Sequence, residues 1–179
     1  MKAAGKIELA IHLVTTAFHG KVRIGPGRIP MSTHSLAVGL SLITYDYPIE
    51  TIIAGILHDT KEDTEVTLAM IQRLFNERVA FLVQATSYKP ELGEKIGEEE
   101  LNLRVIQYSQ IGEIDPLRIK CADSGHNLKT NRHLRPEAQR SAFESGRMRL
   151  IAAQKFMRNE LLTEDFAIIV DRERTRLSL

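Results

Sequence analysis

The spacing of its apolar residues constrains this chain most. They recur every three or four positions along most of the sequence, the period of one helix face, and the alternation of a half-buried strand is missing. Helices are expected at Ile7 to Phe18, Ser32 to Thr44, from Pro48 onward, after Thr67 to Phe75 and at Glu77 to Ser87. Others are expected near Glu99 to Ser109, from Asp115 through Leu128, at Glu137 to Asn159 and at Glu164 to Arg176. Local chemistry marks several starts. Pro48 suits a first helical position, where its missing N–H breaks no bond, and the Thr67 hydroxyl can cap. Asp115 followed by Pro116 reads as a cap and first turn, which favours helix over strand for Leu117, Ile119 and Cys121. Two stretches read as connections: "HGKVRIGPGRIPMST", with three of the eleven glycines and two of the six prolines, and "YKPELGEKIGEEE", a mobile link. The expectation is an all-α fold of about eight to ten helices.

At 179 residues, 43% hydrophobic and 26% charged, the chain can bury a full-sized core as one domain spanning 1–179. A formal net charge of +1 gives bulk electrostatics no hold on nucleic acid or a membrane surface. The N-terminal "MKAAGKIELAIHLVTTAFHG" is interrupted by Glu8 and His12, unlike a signal peptide, and no uncharged apolar run reaches the ~18 residues of a membrane span. One cysteine, Cys121, excludes an internal disulfide and fits a reducing compartment. A soluble cytoplasmic protein is expected, with no nucleic-acid or membrane partner. Its oligomeric state stays open.

Chemistry gathers in three places. "ILHDTKEDTEVT" sets His58, Asp59, Glu62 and Asp63 straight after the apolar run Ile49, Ile52, Ile53, Ile56, Leu57. If the helix continues, His58 and Glu62 share one face and Asp59 and Asp63 the next. Two readings stand: a polar helix end with solvated acids, or a ligand set for something positive. In "KCADSGHNLKT", Asp123, His126, Asn127 and Thr130 form one helical stripe, and Asp123 is either a cap or ion-pair partner or a ligand. His34, ahead of Leu36, Val38 and Leu40, is either a hydrogen-bonded core histidine or a ligand. Two histidines with two aspartates suit a divalent transition ion with open positions, and the lack of neighbouring cysteines argues against a closed structural zinc site. The tail from Arg132 to Leu179 carries no recognisable chemistry and is expected to pack around the other helices.

In this order, His34, His58-Asp59 and Asp123 resemble the H…HD…D signature of the HD-domain metal-dependent phosphohydrolases. "ILHDTKEDTEVTLAMIQRLF", "IKCADSGHNLKT" and "PMSTHSLAVG" are similar to the HDxxEDT, KLADRLHN and PYIxHPxxVA blocks of the RelA/SpoT-type alarmone hydrolases, above all the stand-alone small ones, including the metazoan SpoT-like type. The resemblance implies an HD-domain helical bundle and hydrolysis of the 3′-diphosphate of (p)ppGpp or (p)ppApp with release of pyrophosphate. It implies that His34, His58, Asp59 and Asp123 hold Mn²⁺ and that Glu62 and Asp63 are the catalytic acids. Arg23, Lys120, Asn127 and Thr130 fall at positions near the nucleotide, and Lys61 and Arg28 are further candidates for the diphosphate. Four departures touch the recognition shell: Ile24 stands where the family often has lysine, Met31 replaces an aromatic, Ser35 a proline, and Ser124-Gly125 an Arg-Leu pair. They leave open which phosphorylated nucleotide is used. Alternatives are phosphatase action on another nucleotide such as NADPH, and a non-catalytic nucleotide-binding module.

Overall fold

In the computed structural model, which describes residues 2–89 and 95–179, regular structure is helical. The order is α1 (Ala3–Ala17), a 3-10 turn (Pro26–Arg28), α2 (Ser32–Thr44), α3 (Ile49–Leu57), α4 (Thr60–Asp63) and α5 (Leu68–Leu74). Then come α6 (Glu77–Thr86), α7 (Glu98–Gln110), α8 (Asp115–Thr130), α9 (Pro136–Phe156) and α10 (Leu161–Leu177). The expected all-α fold is present. Among the described residues strand pairing is limited to an isolated bridge between Val22 and Pro30. No helix among them is long and apolar enough to cross a membrane. The link expected at "YKPELGEKIGEEE" lies partly outside the described residues.

Caps account for several boundaries. Thr67 Oγ1 accepts from the Met70 N–H at 3.2 Å and Asn76 Oδ1 from the Val79 N–H at 2.9 Å, each satisfying an N–H the helix itself leaves unpaired. Asp115 was expected as a cap, but it opens α8 as its first residue. Its carboxylate instead accepts from Arg78 at 2.6 Å and Arg118 at 2.8 Å, tying the start of α8 to α6. The helix does not continue through His58. α3 ends at Leu57 because the Thr60 hydroxyl donates to the Leu57 carbonyl at 2.7 Å and the His58 ring to the Gly55 carbonyl at 2.8 Å. Side chains thus take two carbonyls that a continuing helix would use, and Glu62 and Asp63 sit on a separate turn, α4.

Two apolar clusters meet across α8. One gathers Val14, Leu42, Ile53, Ile56, Leu57, Leu82 and Ile119; the other gathers Leu101, Leu117, Leu128, Phe143 and Phe166. α8 packs against α2, α3, α6, α7, α9 and α10, so it is covered on most sides even though it carries Lys120, Asp123 and Ser124. Polar groups there must find partners inside the protein. Glycines set the approach of α2 to α3. A Cβ on Gly39 would lie 2.3 Å from Ile56 Cγ1, and one on Gly55 would lie 2.3 Å from Leu42 Cδ1. This contact brings His34 on α2 beside His58 at the end of α3, with ring centroids 5.1 Å apart.

Candidate metal centre

Two helices, α2 and α8, and the turn between α3 and α4 deliver four side chains to one place. His34 Nε2 lies 3.1 Å from Asp123 Oδ1 and 3.6 Å from Asp59 Oδ2; His58 Nε2 lies 3.0 Å from Asp59 Oδ1 and 3.8 Å from Asp123 Oδ1. His34, His58 and Asp123 are buried, while Asp59 is partly exposed and opens the cluster to solvent. A carbonyl only accepts, so the bond to Gly55 places the His58 proton on Nδ1. His58 Nε2 is then a buried nitrogen with no hydrogen-bond partner, pointing among carboxylates. An orphaned lone pair there, with a second imidazole and two carboxylates around it, fits a divalent cation. The donor atoms of His34, His58 and Asp59 lie within 4.8 Å of one another, a spacing a single ion can span.

The electrostatics agree. Burial opposes charging His58, but the negative charges of Asp59 and then Asp123 outweigh it and lift the imidazole to about 9 in the metal-free chain, so Nε2 attracts a positive partner, proton or ion. Burial also opposes ionising Asp123, yet the Lys120 ammonium and the two imidazoles hold it well below the usual carboxylate range. Asp59 is lowered in the same way, burial being outweighed by His58 and His34. The site thus stabilises positive charge at its centre.

Around this cluster the remaining predicted residues take different positions. Glu62 is partly buried; one of its oxygens accepts from the Tyr88 N–H at 2.7 Å. Burial raises its pKa, with the Asp59 charge adding to the effect. Asp63 is exposed, and its main-chain carbonyl accepts from the Lys21 ammonium. Lys120 is 2% exposed and donates to Asp123 Oδ2 at 2.5 Å, so it sits behind the cluster, braced against the Tyr88 ring, rather than in an open pocket. Asn127 joins two predicted residues: its Nδ2 donates to Asp123 Oδ1 at 2.7 Å and its Oδ1 accepts from Arg23 at 3.0 Å. Lys61 reaches the Lys89 carbonyl. Arg28 is exposed on the 3-10 turn.

Arg23 is presented by a pinned loop. Its N–H donates to the Ile29 carbonyl at 2.9 Å and the Met31 N–H to the Lys21 carbonyl at 2.9 Å, closing the hairpin-like turn. Burial depresses the Arg23 pKa, partly offset by Asp123 and Asp59. Beside this His/Asp cluster, Arg23, Ile24, Gly25, Pro26, Thr130 and His133 help line a pocket of about 310 Å³. Its wall is mostly apolar. Gly25, at φ 134°, has the His133 ring 2.8 Å from where a Cβ would stand, so only glycine fits the turn there. Ile24 is 81% exposed at the rim.

Three residues of the site went unassigned in the sequence. His126 lies on the predicted polar stripe, and its Nδ1 meets His34 Nδ1 at 2.8 Å and Arg23 Nη1 at 3.2 Å. Burial, then the neighbouring His34 imidazole and Arg23 guanidinium, lower its pKa to about 4. Tyr88 holds Glu62 through its main chain, which no side-chain motif signals. Arg149, in the tail expected only to pack, is 6% exposed; it donates to Ser124 Oγ at 2.5 Å and Asn102 Oδ1 at 2.8 Å and pairs with Glu98. A guanidinium from α9 therefore stands beside Ser124 of α8.

Known proteins fit this picture. The HD domain profile matches residues 10–148. The chain is 34% identical over 113 residues to the bifunctional (p)ppGpp synthase/hydrolase SpoT of Escherichia coli (strain K12), covering 62% of this chain and 16% of that protein. It is 33% identical over 137 residues to a guanosine-3′,5′-bis(diphosphate) 3′-pyrophosphohydrolase of Spiroplasma citri, covering 75% of this chain and 18% of that one. The chain thus spans less than a fifth of the length of these relatives. A solved structure described as a metazoan ortholog of SpoT that hydrolyzes ppGpp and plays a role in starvation responses shares the fold, with a TM-score of 0.74 at 18% identity over 96% of this chain and 94% of that one.

Proposed function

We propose a function from one premise, that the chain belongs to the HD domain family: it hydrolyses the 3′-diphosphate of an alarmone nucleotide, (p)ppGpp or its adenosine counterpart (p)ppApp, and releases pyrophosphate, as a single domain. The observation that carries the reading is the buried, unpartnered His58 Nε2 set among His34, Asp59 and Asp123, with Glu62 beside them and the Arg23 pocket adjoining. The similar proteins of E. coli and S. citri, whose names describe synthesis or hydrolysis of (p)ppGpp and pyrophosphohydrolysis of its guanosine bis(diphosphate), support the substrate class.

In this reading His34, His58, Asp59 and Asp123 hold Mn²⁺, which when bound supplies Lewis-acid stabilisation of charge on the phosphoryl oxygens. Water adds to the phosphorus joined to the ribose 3′ oxygen, and the bond between those two atoms breaks. One proton leaves the water and one reaches the 3′ oxygen. Glu62, its pKa raised by burial, exchanges these protons; acid–base help of this kind is typically worth ~10²–10⁴ in rate. The Tyr88 N–H orients its carboxyl. Asp63, exposed on the same turn, is the second acid. Arg23, Asn127 and Thr130 bind the nucleotide, Arg23 donating to phosphate, and Lys61 attracts the diphosphate. Lys120 acts indirectly, through Asp123.

The test is a nucleotide panel with Mn²⁺ and product analysis. Pyrophosphate released from ppGpp or ppApp supports the reading. Orthophosphate from NADPH, with both alarmones untouched, would replace it with nucleotide phosphatase action, and binding without turnover of any nucleotide would leave a non-catalytic module.

A further inference from the structure

His126 stands between the nucleotide pocket and the candidate metal cluster. We propose that His126 is a positioning residue: kept as a pure acceptor by Arg23, it places the proton of neutral His34 on Nδ1 and so presents the His34 Nε2 lone pair to the ion. A guanidinium donates and never accepts. Arg23 Nη1 is 3.2 Å from His126 Nδ1, so that nitrogen receives a proton and carries none of its own. His34 Nδ1 is 2.8 Å from the same atom. Two bare ring nitrogens at that distance would repel, so the hydrogen between them belongs to His34. Both donors then share one lone pair, with the shorter contact made by His34.

A neutral imidazole has a single N–H. With it on Nδ1, the His34 lone pair sits on Nε2, the atom 3.1 Å from Asp123 and 3.6 Å from Asp59. His58 reaches the same state through the Gly55 carbonyl, which cannot be anything but an acceptor. A ligating histidine commonly donates its second N–H to a carboxylate, a carbonyl or water. In this chain an imidazole takes that place for His34, and Arg23 makes it a dependable acceptor. The same Arg23 donates to Asn127, which holds Asp123, so one guanidinium braces the partners of two ligands.

The inference rests on the cluster being a metal site, and its test is metal affinity without nucleotide. Mn²⁺ binding is measured calorimetrically for the unaltered chain, His126→Leu and His126→Asn, with thermal melts of the metal-free proteins as a fold check. Leucine fills the space without an acceptor, whereas the asparagine Oδ1 falls near the former Nδ1. The leucine variant should bind Mn²⁺ ~10–100-fold more weakly, and asparagine should recover affinity to within about threefold of the unaltered chain. A leucine variant that binds as tightly as the unaltered chain overturns the proposal, as does an asparagine variant as weak as leucine. If the leucine variant does not fold, ¹⁵N NMR of the unaltered Zn²⁺-loaded protein decides. His34 ligating through Nε2 with Nδ1 protonated supports the proposal; ligation through Nδ1 overturns it. An unaltered chain that binds no metal removes the metal reading and this proposal with it.

Discussion

Lys120→Met tests how the centre of α8 is held together. The substitution keeps the unbranched apolar stem and removes the charge, so the packing around the side chain changes little. Lys120 and Asp123 have side chains 3% and 7% exposed, with Nζ and Oδ2 2.5 Å apart. At an effective dielectric of about 20, unit charges at 2.5 Å attract by roughly 7 kcal/mol. Much of that offsets the desolvation of both groups. What the variant shows is the penalty for leaving Asp123 buried without its cation, about 3–5 kcal/mol. Asp123 would keep only the Asn127 amide and the imidazoles as partners.

Urea denaturation of the metal-free protein at pH 7 measures the loss, and its pH dependence identifies the source. Asp123 titrates below the usual carboxylate range in the folded chain, so its contribution is present above the unfolded carboxylate pKa and is lost as pH falls through the folded one. Removing Lys120 weakens the cause of that depression. The difference between variant and unaltered protein should therefore be largest near neutrality and shrink toward low pH. The double variant Lys120→Met/Asp123→Leu should lose less than the sum of the single changes, since the pair is removed together. A single variant within about 0.5 kcal/mol of the unaltered protein at pH 7 would refute the assignment of Lys120 as the counter-charge of Asp123.

Gly39→Ala should lower stability by about 1–3 kcal/mol and also weaken Mn²⁺ binding, because the added methyl meets Ile56 at 2.3 Å and pushes the helix of His34 off that of His58; denaturation and metal titration of one sample read both. Glu62→Gln should bind Mn²⁺ like the unaltered chain and turn over ~10²–10⁴-fold more slowly, and a fully active variant would remove Glu62 from proton transfer. Burial pushes the Cys121 thiol up to about 12, so its contribution to stability is complete below the unfolded thiol's 9.0 and is lost as pH rises toward 12. Iodoacetamide at pH 8.5 should accordingly label Cys121 only after denaturant is added, and rapid labelling of the native protein would contradict its burial.

The helical fold was legible because its signal is local. The stripe from Ile49 to Leu57, the Thr67 cap and Pro116 in the first turn of α8 each act within a few residues, and each leads to a helix near the expected place. The ligand candidates were legible for another reason: His34, His58-Asp59 and Asp123 matched family blocks in order. Whether α3 runs on past its apolar stripe was not legible, since Thr60 and the His58 ring take carbonyls that a longer helix would use. Lys120 also reads as a residue near the nucleotide until α8 is seen packed among six other helices.

By itself, then, the sequence determined that this chain forms helices and which imidazoles and carboxylates are available to them. Only the tertiary structure decided what those groups do to one another. Partners far apart in the chain set each state: Arg23 and His126 meet across 103 positions, His34 and His126 across 92, and Arg149 reaches Ser124 across 25. A ring nitrogen donates or accepts, and a buried lysine holds or loses its counter-charge, according to the atom that packing brings within about 3 Å of it. No spacing along the chain encodes that contact directly, because it depends on how closely Gly39 lets α2 approach α3 and on which helices surround α8.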